Sequence, residues 1–418
     1  MTLATIDPQI NTLLRRELER QNTTINLIPS ENYPSPAVLE AIANVGLSGK
    51  YSEGYPAKRY YQGNSVVDEI EEFAIQRAKQ IFGMEHVNVQ ALSGVPANHA
   101  VYMALCQPGD VTLGIEVPSG GHLSHGEPVT FIGRYYKPTM YKVDKTTEMI
   151  DYDSFRSLAE EIRPKIIWIG TSSYPRHYDY PRLLQIARQV GAYFVADIAH
   201  VAGLVAAAAY PSPAPYADVV TTTTHKTLRG PRGALIMCKS ELATKIDRAV
   251  FPGLQGGPHE NIIAGVAVAL HEAQTQEFKQ YAAQVLQNGK ALAAALSEQG
   301  FELVTGGTDN HLMTIKLDRL EFQISGKDAA TLLERGGIVS NRQSVPHDTR
   351  SRFNPGGIRF GTPAMTTCGM KESEMREIAL WTKRLFEERE SEQAVLQIRN
   401  EVREMRTAFP IPGFPLSA

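Results

Sequence analysis

Little in this sequence is extreme, and its absences are informative. Cysteine is scarce: the 418 residues hold 3, at Cys106, Cys238 and Cys368, far from one another. That excludes a disulfide-stapled fold and a CxxC metal site, so the thiols read as buried core residues and no metal is expected. Neither sign of charge dominates, since 42 Lys and Arg stand against 45 Asp and Glu for a net charge of −3. No basic stripe is offered to nucleic acid and no acidic tail is present, so neither kind of partner is expected. No apolar run approaches the ~20 residues of a bilayer span. The longest, Val201–Tyr210 and Ile262–Leu270, read as core segments. The opening residues lack a basic stretch followed by an apolar one, so no secretory signal is expected. These absences together predict a soluble, cytoplasmic protein without a membrane partner.

What is present is a chain with 43% hydrophobic residues, enough for one large domain and a smaller one. An amphipathic helix is predicted over Asp7–Arg20. The stretch from Asn22 to Gly63 is rich in Tyr, Gly, Pro and Ser with little periodicity, and such segments inside compact domains are often functional. Ser65 reads as the N-cap of a helix to Phe82, with Asp68 in its first turn. Beyond it the pattern alternates. Helices are predicted from Ser93, over Tyr152–Glu161 and over Tyr180–Val190. Apolar strands are predicted over Val111–Glu116, Ile166–Ile169, Tyr193–Asp197, Val219–Thr223 and Ala234–Cys238. This is the signature of an α/β fold, a mostly parallel sheet covered on both faces, whose ligands sit beyond the carboxyl ends of the strands. A long alanine-rich helix over Gln274–Ser297 leads to a second part, with a strand at His311–Leu317 and helices at Lys327–Arg335 and Lys371–Glu390. The expected division is 1–280 for the N-terminal segment and large domain, and 281–418 for the small one.

The richest stretch is Thr221–Gly233. Four threonines suit a strand end and deliver His225 and Lys226 to its carboxyl edge, where a Gly/Pro-rich turn lets backbone approach a ligand. A lysine there can form a Schiff base with an aldehyde cofactor, although alone it could equally be a solvated lysine in a turn. Asp197 ends a neighbouring strand at the same edge. A buried carboxylate needs a partner, and a pyridinium nitrogen is one, which would make the ring an electron sink. His200 follows three residues later, either orienting ring substituents or packed against backbone. Ser93-Gly94-Val95-Pro96 places a tight turn before a helix, with Pro96 expected at the first helical position. Its free N–H groups and the helix dipole would favour a phosphate.

Several runs together resemble serine hydroxymethyltransferase: Thr222–Gly233, Asp197–Gly203, Tyr51–Tyr61, Ser30–Asn32, Gly120–His125, Gln255–Gly257 and Gly357–Ala364. The similarity extends in order from about Asp7 to Pro410. It implies the fold-type-I architecture of pyridoxal 5'-phosphate enzymes, with a mostly parallel seven-stranded sheet between helices and a smaller α+β C-terminal domain. It also implies a homodimer or homotetramer whose active sites are shared between subunits. Carried over residue by residue, Lys226 would hold the cofactor aldehyde and Asp197 its ring nitrogen. His122 would stack on the ring, His200 would lie beside its hydroxyl, and Ser172, Thr223 and His225 would stand around it. Ser93, Gly94 and Val95 would hold the phosphate, with Gly257 from a neighbouring subunit. Arg359 would clamp the carboxylate of a small amino-acid substrate with Ser30 and Tyr61, as suits bidentate guanidinium geometry. Glu53 would be the acid/base, Tyr51 would reach in from the neighbour, and Tyr60, Gly121, Leu123 and His347 would flank tetrahydrofolate.

The chain departs from the family's usual pattern at particular places. Val95 replaces a serine in the phosphate turn, and Val117 a leucine. His347 stands where asparagine is usual and Arg352 where proline is common, while Cys368 and Met370 replace an arginine and a phenylalanine. Thr171–His177 is also atypical. The expected reaction is serine–glycine interconversion with tetrahydrofolate as one-carbon acceptor. The departures leave open an altered partner, as in α-methylserine hydroxymethyltransferase or a folate-independent L-threonine aldolase or transaldolase. A non-catalytic regulatory scaffold is the remote alternative, opposed by Lys226, Asp197 and Arg359 all being present.

Overall fold

The computed structural model describes residues 2–170, 172–320 and 323–415, so Thr171 of the atypical Thr171–His177 stretch lies outside the described residues. Seven strands form the main sheet. Taken from one edge, they are His86–Asn88, Ala234–Cys238, Val219–Thr223, Tyr193–Asp197, Ile166–Gly170, Val111–Ile115 and Lys137–Tyr141. The last five run parallel, and Ala234–Cys238 is antiparallel to both of its neighbours. Alternation along a strand buries both faces. In Ile166–Gly170, Ile167 and Ile169 join one core while Ile166 and Trp168 join the other. Strands wholly buried in this way read as continuous apolar runs, which is why the sequence predicted them.

The two edge strands escape that pattern. His86-Val-Asn88 is short and polar. Lys137–Tyr141 contains Pro138, which an edge strand tolerates because one side of its ladder faces solvent. Two helix starts also differ from expectation. Asn64, not Ser65, is the N-cap of the Ser65–Phe82 helix. The helix expected from Ser93 runs Gly94–Leu105 with Ser93 as N-cap, so Pro96 is its third residue, still inside the turn where a missing N–H costs nothing. The aperiodic Asn22–Gly63 stretch contains the Pro36–Ile42 helix and a small hairpin, Gly54–Tyr55 with Lys58–Arg59.

A second sheet pairs Leu312–Lys316 with Gly357–Gly361, and that strand with Asn341–Gln343. It supports its own apolar core with helices Gly326–Arg335, Glu372–Glu387 and Glu392–Ala408. The helix Gln276–Glu298 joins the two regions. Its first half gives Phe278, Tyr281 and Val285 to the main core, and its second half gives Leu292, Ala293 and Leu296 to the other. Among the described residues, no helix is long and apolar enough to cross a membrane.

Candidate active site

A cavity of about 900 Å3 opens at the carboxyl ends of the parallel strands, where an α/β sheet places its ligands. Lys226 follows the Val219–Thr223 strand and Asp197 ends the adjacent one, so the parallel register brings them to one floor. Asp197 is thoroughly engaged. Oδ2 accepts from Asn98 Nδ2 at 2.9 Å and faces His125 Nε2 at 3.0 Å, while Oδ1 accepts from the Ala199 N–H at 2.9 Å. Burial alone would raise this carboxyl, but the bond and charge from His125, with the Asn98 bond, outweigh it and hold it well below the carboxylate range. His125 is itself fixed by stacking on Trp168, with ring centroids 5.1 Å apart. The opposite shift befalls Lys226. Burial brings its ammonium down to about 8; Asp197 resists, while Arg359 and Arg232 assist.

His122 is half-buried near the same floor. Its Nδ1 accepts from the Ser124 N–H at 3.2 Å, and Ser124 Oγ lies 2.7 Å away, itself accepting from Asn98. Nε2 therefore carries the ring proton, and burial keeps the ring neutral, with a pKa down at about 4. The turn before it needs glycine. A Cβ on Gly121 would stand 1.8 Å from the Ile115 carbonyl oxygen, a backbone atom that cannot yield. His200 and His225 are likewise kept neutral by burial, and each has an Nδ1 with no hydrogen-bond partner among the described residues.

Arg359 lies 7% exposed in the central strand of the small sheet and reaches the cavity from the other core. Nε donates to Asn341 Oδ1 at 3.1 Å, and Nη1 to the Ser172 carbonyl. No carboxylate pairs with it among the described residues, and burial lowers it to about 10, still protonated at neutral pH. Ser30, Ser172, Thr223, Gly121 and Leu123 line the same cavity. So do Ser93, Gly94 and Val95, where the Ser93 side chain leaves its own helix uncapped and a Cβ on Gly94 would meet Thr223 Cγ2 at 2.7 Å. A desolvated amine, a fixed carboxylate, a helix start closed around glycine and unpartnered imidazole nitrogens suit a group bearing an aldehyde, a protonated ring nitrogen and a phosphate. Pyridoxal phosphate fits that donor set.

Residues 3–382 match the family model for serine hydroxymethyltransferase. The chain is 52% identical over 407 residues to a serine hydroxymethyltransferase of Desulfotalea psychrophila, covering 97% of this chain and 95% of that one. It is 51% identical over 411 residues to that of Sorangium cellulosum, covering 98% and 96%. This chain belongs to the serine hydroxymethyltransferase family. Not every residue that the family resemblance assigns to the site lines the cavity, however. Tyr51, Glu53, Tyr60, Tyr61, Gly257 and His347 do not. Tyr51 Oη donates to Glu53 Oε1 at 3.2 Å, the Tyr51 and Tyr61 rings meet at 5.0 Å, and Gly257 lies beside Glu53, forming a separate, partly exposed cluster. His347 Nε2 instead donates to the Val143 carbonyl at 2.9 Å. Among the family departures, Val95 and Val117 line the cavity, whereas Cys368 and Met370 are buried in the small-sheet core.

The structure adds residues that sequence reading gave no role. Asn98 and His125 secure Asp197, Ser124 links Asn98 to His122, and buried His311 stacks on His200 with centroids 5.7 Å apart. The one signal available was spacing, since Asn98 falls one turn after the helix start at Ser93.

Proposed function

We propose that this chain transfers the hydroxymethyl group of serine to tetrahydrofolate, leaving glycine, with pyridoxal phosphate as cofactor. The observation that carries the reading is one cavity floor that joins the buried Lys226 to Asp197, whose carboxylate is held by Asn98, His125 and the Ala199 N–H. When bound, the cofactor supplies an electron sink that lets the Cα–Cβ bond break. Lys226 Nζ, partly neutral near physiological pH, would hold the cofactor through its aldehyde. Asp197 keeps the proton on the ring nitrogen. His122, neutral and fixed by Ser124, would help to hold the cofactor ring. Arg359 binds the substrate carboxylate and so orients the amino acid in the cavity.

Glu53 is the group that manages the proton on the serine hydroxyl. Its cluster with Tyr51, Tyr60, Tyr61 and Gly257 lies away from its own chain's cavity, which supports a homodimer in which each subunit's cluster completes the other's site. The exposed apolar side chains of the first helices, Ile6, Ile10, Leu13 and Leu14, give such a dimer a surface to bury. The reading places the protein in the cytoplasm, with a large cofactor-binding domain over 1–280 and a small domain over 281–418.

The test is to supply serine and pyridoxal phosphate, with and without tetrahydrofolate, and to quantify glycine and the one-carbon folate product. Stoichiometric formation of both only when folate is present supports the reading. Threonine cleavage with no folate-dependent transfer from serine would instead make the chain an aldolase.

A further inference from the structure

Glu127 is 2% exposed and stands just beyond the Leu123–His125 turn. Its backbone oxygen accepts the Thr130 N–H and hydroxyl, and its Oε1 accepts the Val117 N–H at 3.4 Å. Among the described residues its charge is met by one cation, Arg352, whose side chain is 49% exposed and whose Nη1 lies 2.5 Å from Oε2. That arginine comes from the other core, on the loop between Val345 and Gly357. The loop is ordered from within by Asp348, which accepts the Arg350 and Gly356 N–H groups at 2.9 and 2.8 Å. His347 makes a second tie across the same gap, from Nε2 to the Val143 carbonyl.

The ion pair therefore joins the small-sheet loop to the strip from Val117 to Glu127, whose residues Val117, Gly121, His122 and Leu123 line the cavity. Depth separates this wall from the chemistry. Leu123 is 45% exposed at the mouth, whereas Lys226 and Arg359 are 9% and 7% exposed at the floor. A latch on the wall at the mouth bears on a co-substrate held there, not on the groups at the floor.

We propose that Arg352 and Glu127 are a positioning pair that fixes the cavity mouth for the folate co-substrate without touching the reacting atoms. The proposal rests on the folate-dependent reading above. Removing one partner leaves Glu127 buried and unpaired, or Arg352 unanchored, and frees the strip to move. Removing both charges leaves no such conflict, and lysine at 352 can restore the charge but not the guanidinium's geometry.

The experiment compares the parent holoenzyme with Arg352→Ala, Arg352→Lys, Glu127→Gln and the double variant Arg352→Met/Glu127→Met. Each is assayed for folate-dependent transfer from serine and for folate-independent cleavage of a β-hydroxy amino acid such as threonine. We expect Arg352→Ala to raise KM for tetrahydrofolate roughly tenfold or more, as for a lost charge-assisted contact. The KM for serine, and threonine cleavage, should stay within about twofold of the parent. Arg352→Lys should lie between, and the double variant, which carries no buried charge, should fold with the raised folate KM. Parallel losses in both reactions, or an unchanged folate KM in Arg352→Ala and in the double variant, overturn the proposal. Absence of folate-dependent transfer in the parent would overturn the functional reading instead, and that control is run first.

Discussion

At the scale of single residues, the site is built from charges whose partners are incomplete in the chain alone. Arg359 shows this best, being buried with two neutral acceptors and no carboxylate. A buried charge paired only to neutral groups is held at a cost that substrate binding repays. Arg359→Leu is therefore expected to lower kcat/KM by about 2–5 kcal/mol, roughly 30-fold to several thousand-fold. The same substitution should leave the thermal midpoint of the cofactor-free protein unchanged or raised. A loss of stability matching the loss of activity, seen by calorimetry, would assign Arg359 to the fold instead. Lys226 gives a second test, in pH. Its amine is lowered from 10.5 to about 8, so the neutral fraction that attacks an aldehyde grows with pH up to that value and then saturates. Capture of pyridoxal phosphate by the cofactor-free protein, followed by absorbance, should accelerate about tenfold per pH unit below 8 and level off above it. A rate still climbing at pH 10 would mean an ordinary exposed lysine. Lys226 was legible in the sequence because it follows the end of a strand pattern, whereas Arg359, in the middle of the unpredicted Gly357–Gly361 strand, came from the family resemblance alone. Their supporters were not legible. Asn98, Ser124 and His125 act through contacts between segments far apart in sequence, Asn98 meeting Asp197 across 99 positions, and no local pattern encodes such a meeting.

At the scale of elements, the buried strands of the main sheet were predicted from continuous apolar runs and several helices from capping and period, but the buried Gly357–Gly361 strand and the Glu260–Glu272 and Glu392–Ala408 helices were not. The edge strands, with Pro138 in one and His86 and Asn88 in the other, were not either, since at an edge the sequence is under weaker packing demands. The Gly54–Tyr55 and Lys58–Arg59 hairpin was hidden for a different reason, as it is held by buried polar groups. Arg59 bonds Asp68 at 2.8 Å and Glu71 at 2.6 Å, and its Nη1 donates to the Ser52 and Gly54 carbonyls. Glu260, 1% exposed, receives the Ser52 hydroxyl at 2.5 Å and lies 3.9 Å from the same guanidinium. One cation thus faces three carboxylates, and burial pushes Glu260 up from 4.5 to about 7. An acid raised in the folded state favours folding while protonated, and that contribution fades as pH rises from about 4.5 to about 7. Glu260→Gln should therefore gain stability over the parent progressively across that interval and level off above it, by on the order of 3 kcal/mol at most. Denaturant titrations at pH 5 and pH 8 measure the difference. An equal difference at the two values would show Glu260 to be ionised throughout. Because this network anchors the segment carrying Tyr51 and Glu53, the same titration bears on how firmly those two groups are aimed.

At the scale of the whole molecule, the two cores divide the labour of the cavity. The large sheet supplies Lys226, Asp197 and His122, while the small sheet supplies Arg359 and the loop bearing Arg352. What neither core brings to the cavity is the Tyr51–Glu53–Tyr61 cluster, and here a single chain's sequence is silent about geometry, since in the proposed dimer the completing contacts lie between chains. If each cluster serves the neighbouring copy, two inactive variants must repair one another. Lys226→Ala keeps an intact Glu53, and Glu53→Gln keeps an intact Lys226. Random pairing of equal amounts makes half the dimers mixed, and each mixed dimer holds one site with both groups intact, so about a quarter of all sites should be restored. Co-expression, purification of the whole population through one tag carried by both variants and an assay of folate-dependent transfer measure that recovery. If Glu53 served its own chain, every site of the mixed dimer would lack one group and no activity would return. A recovery near a quarter would thus establish the shared site directly, whatever larger assembly the dimers go on to form.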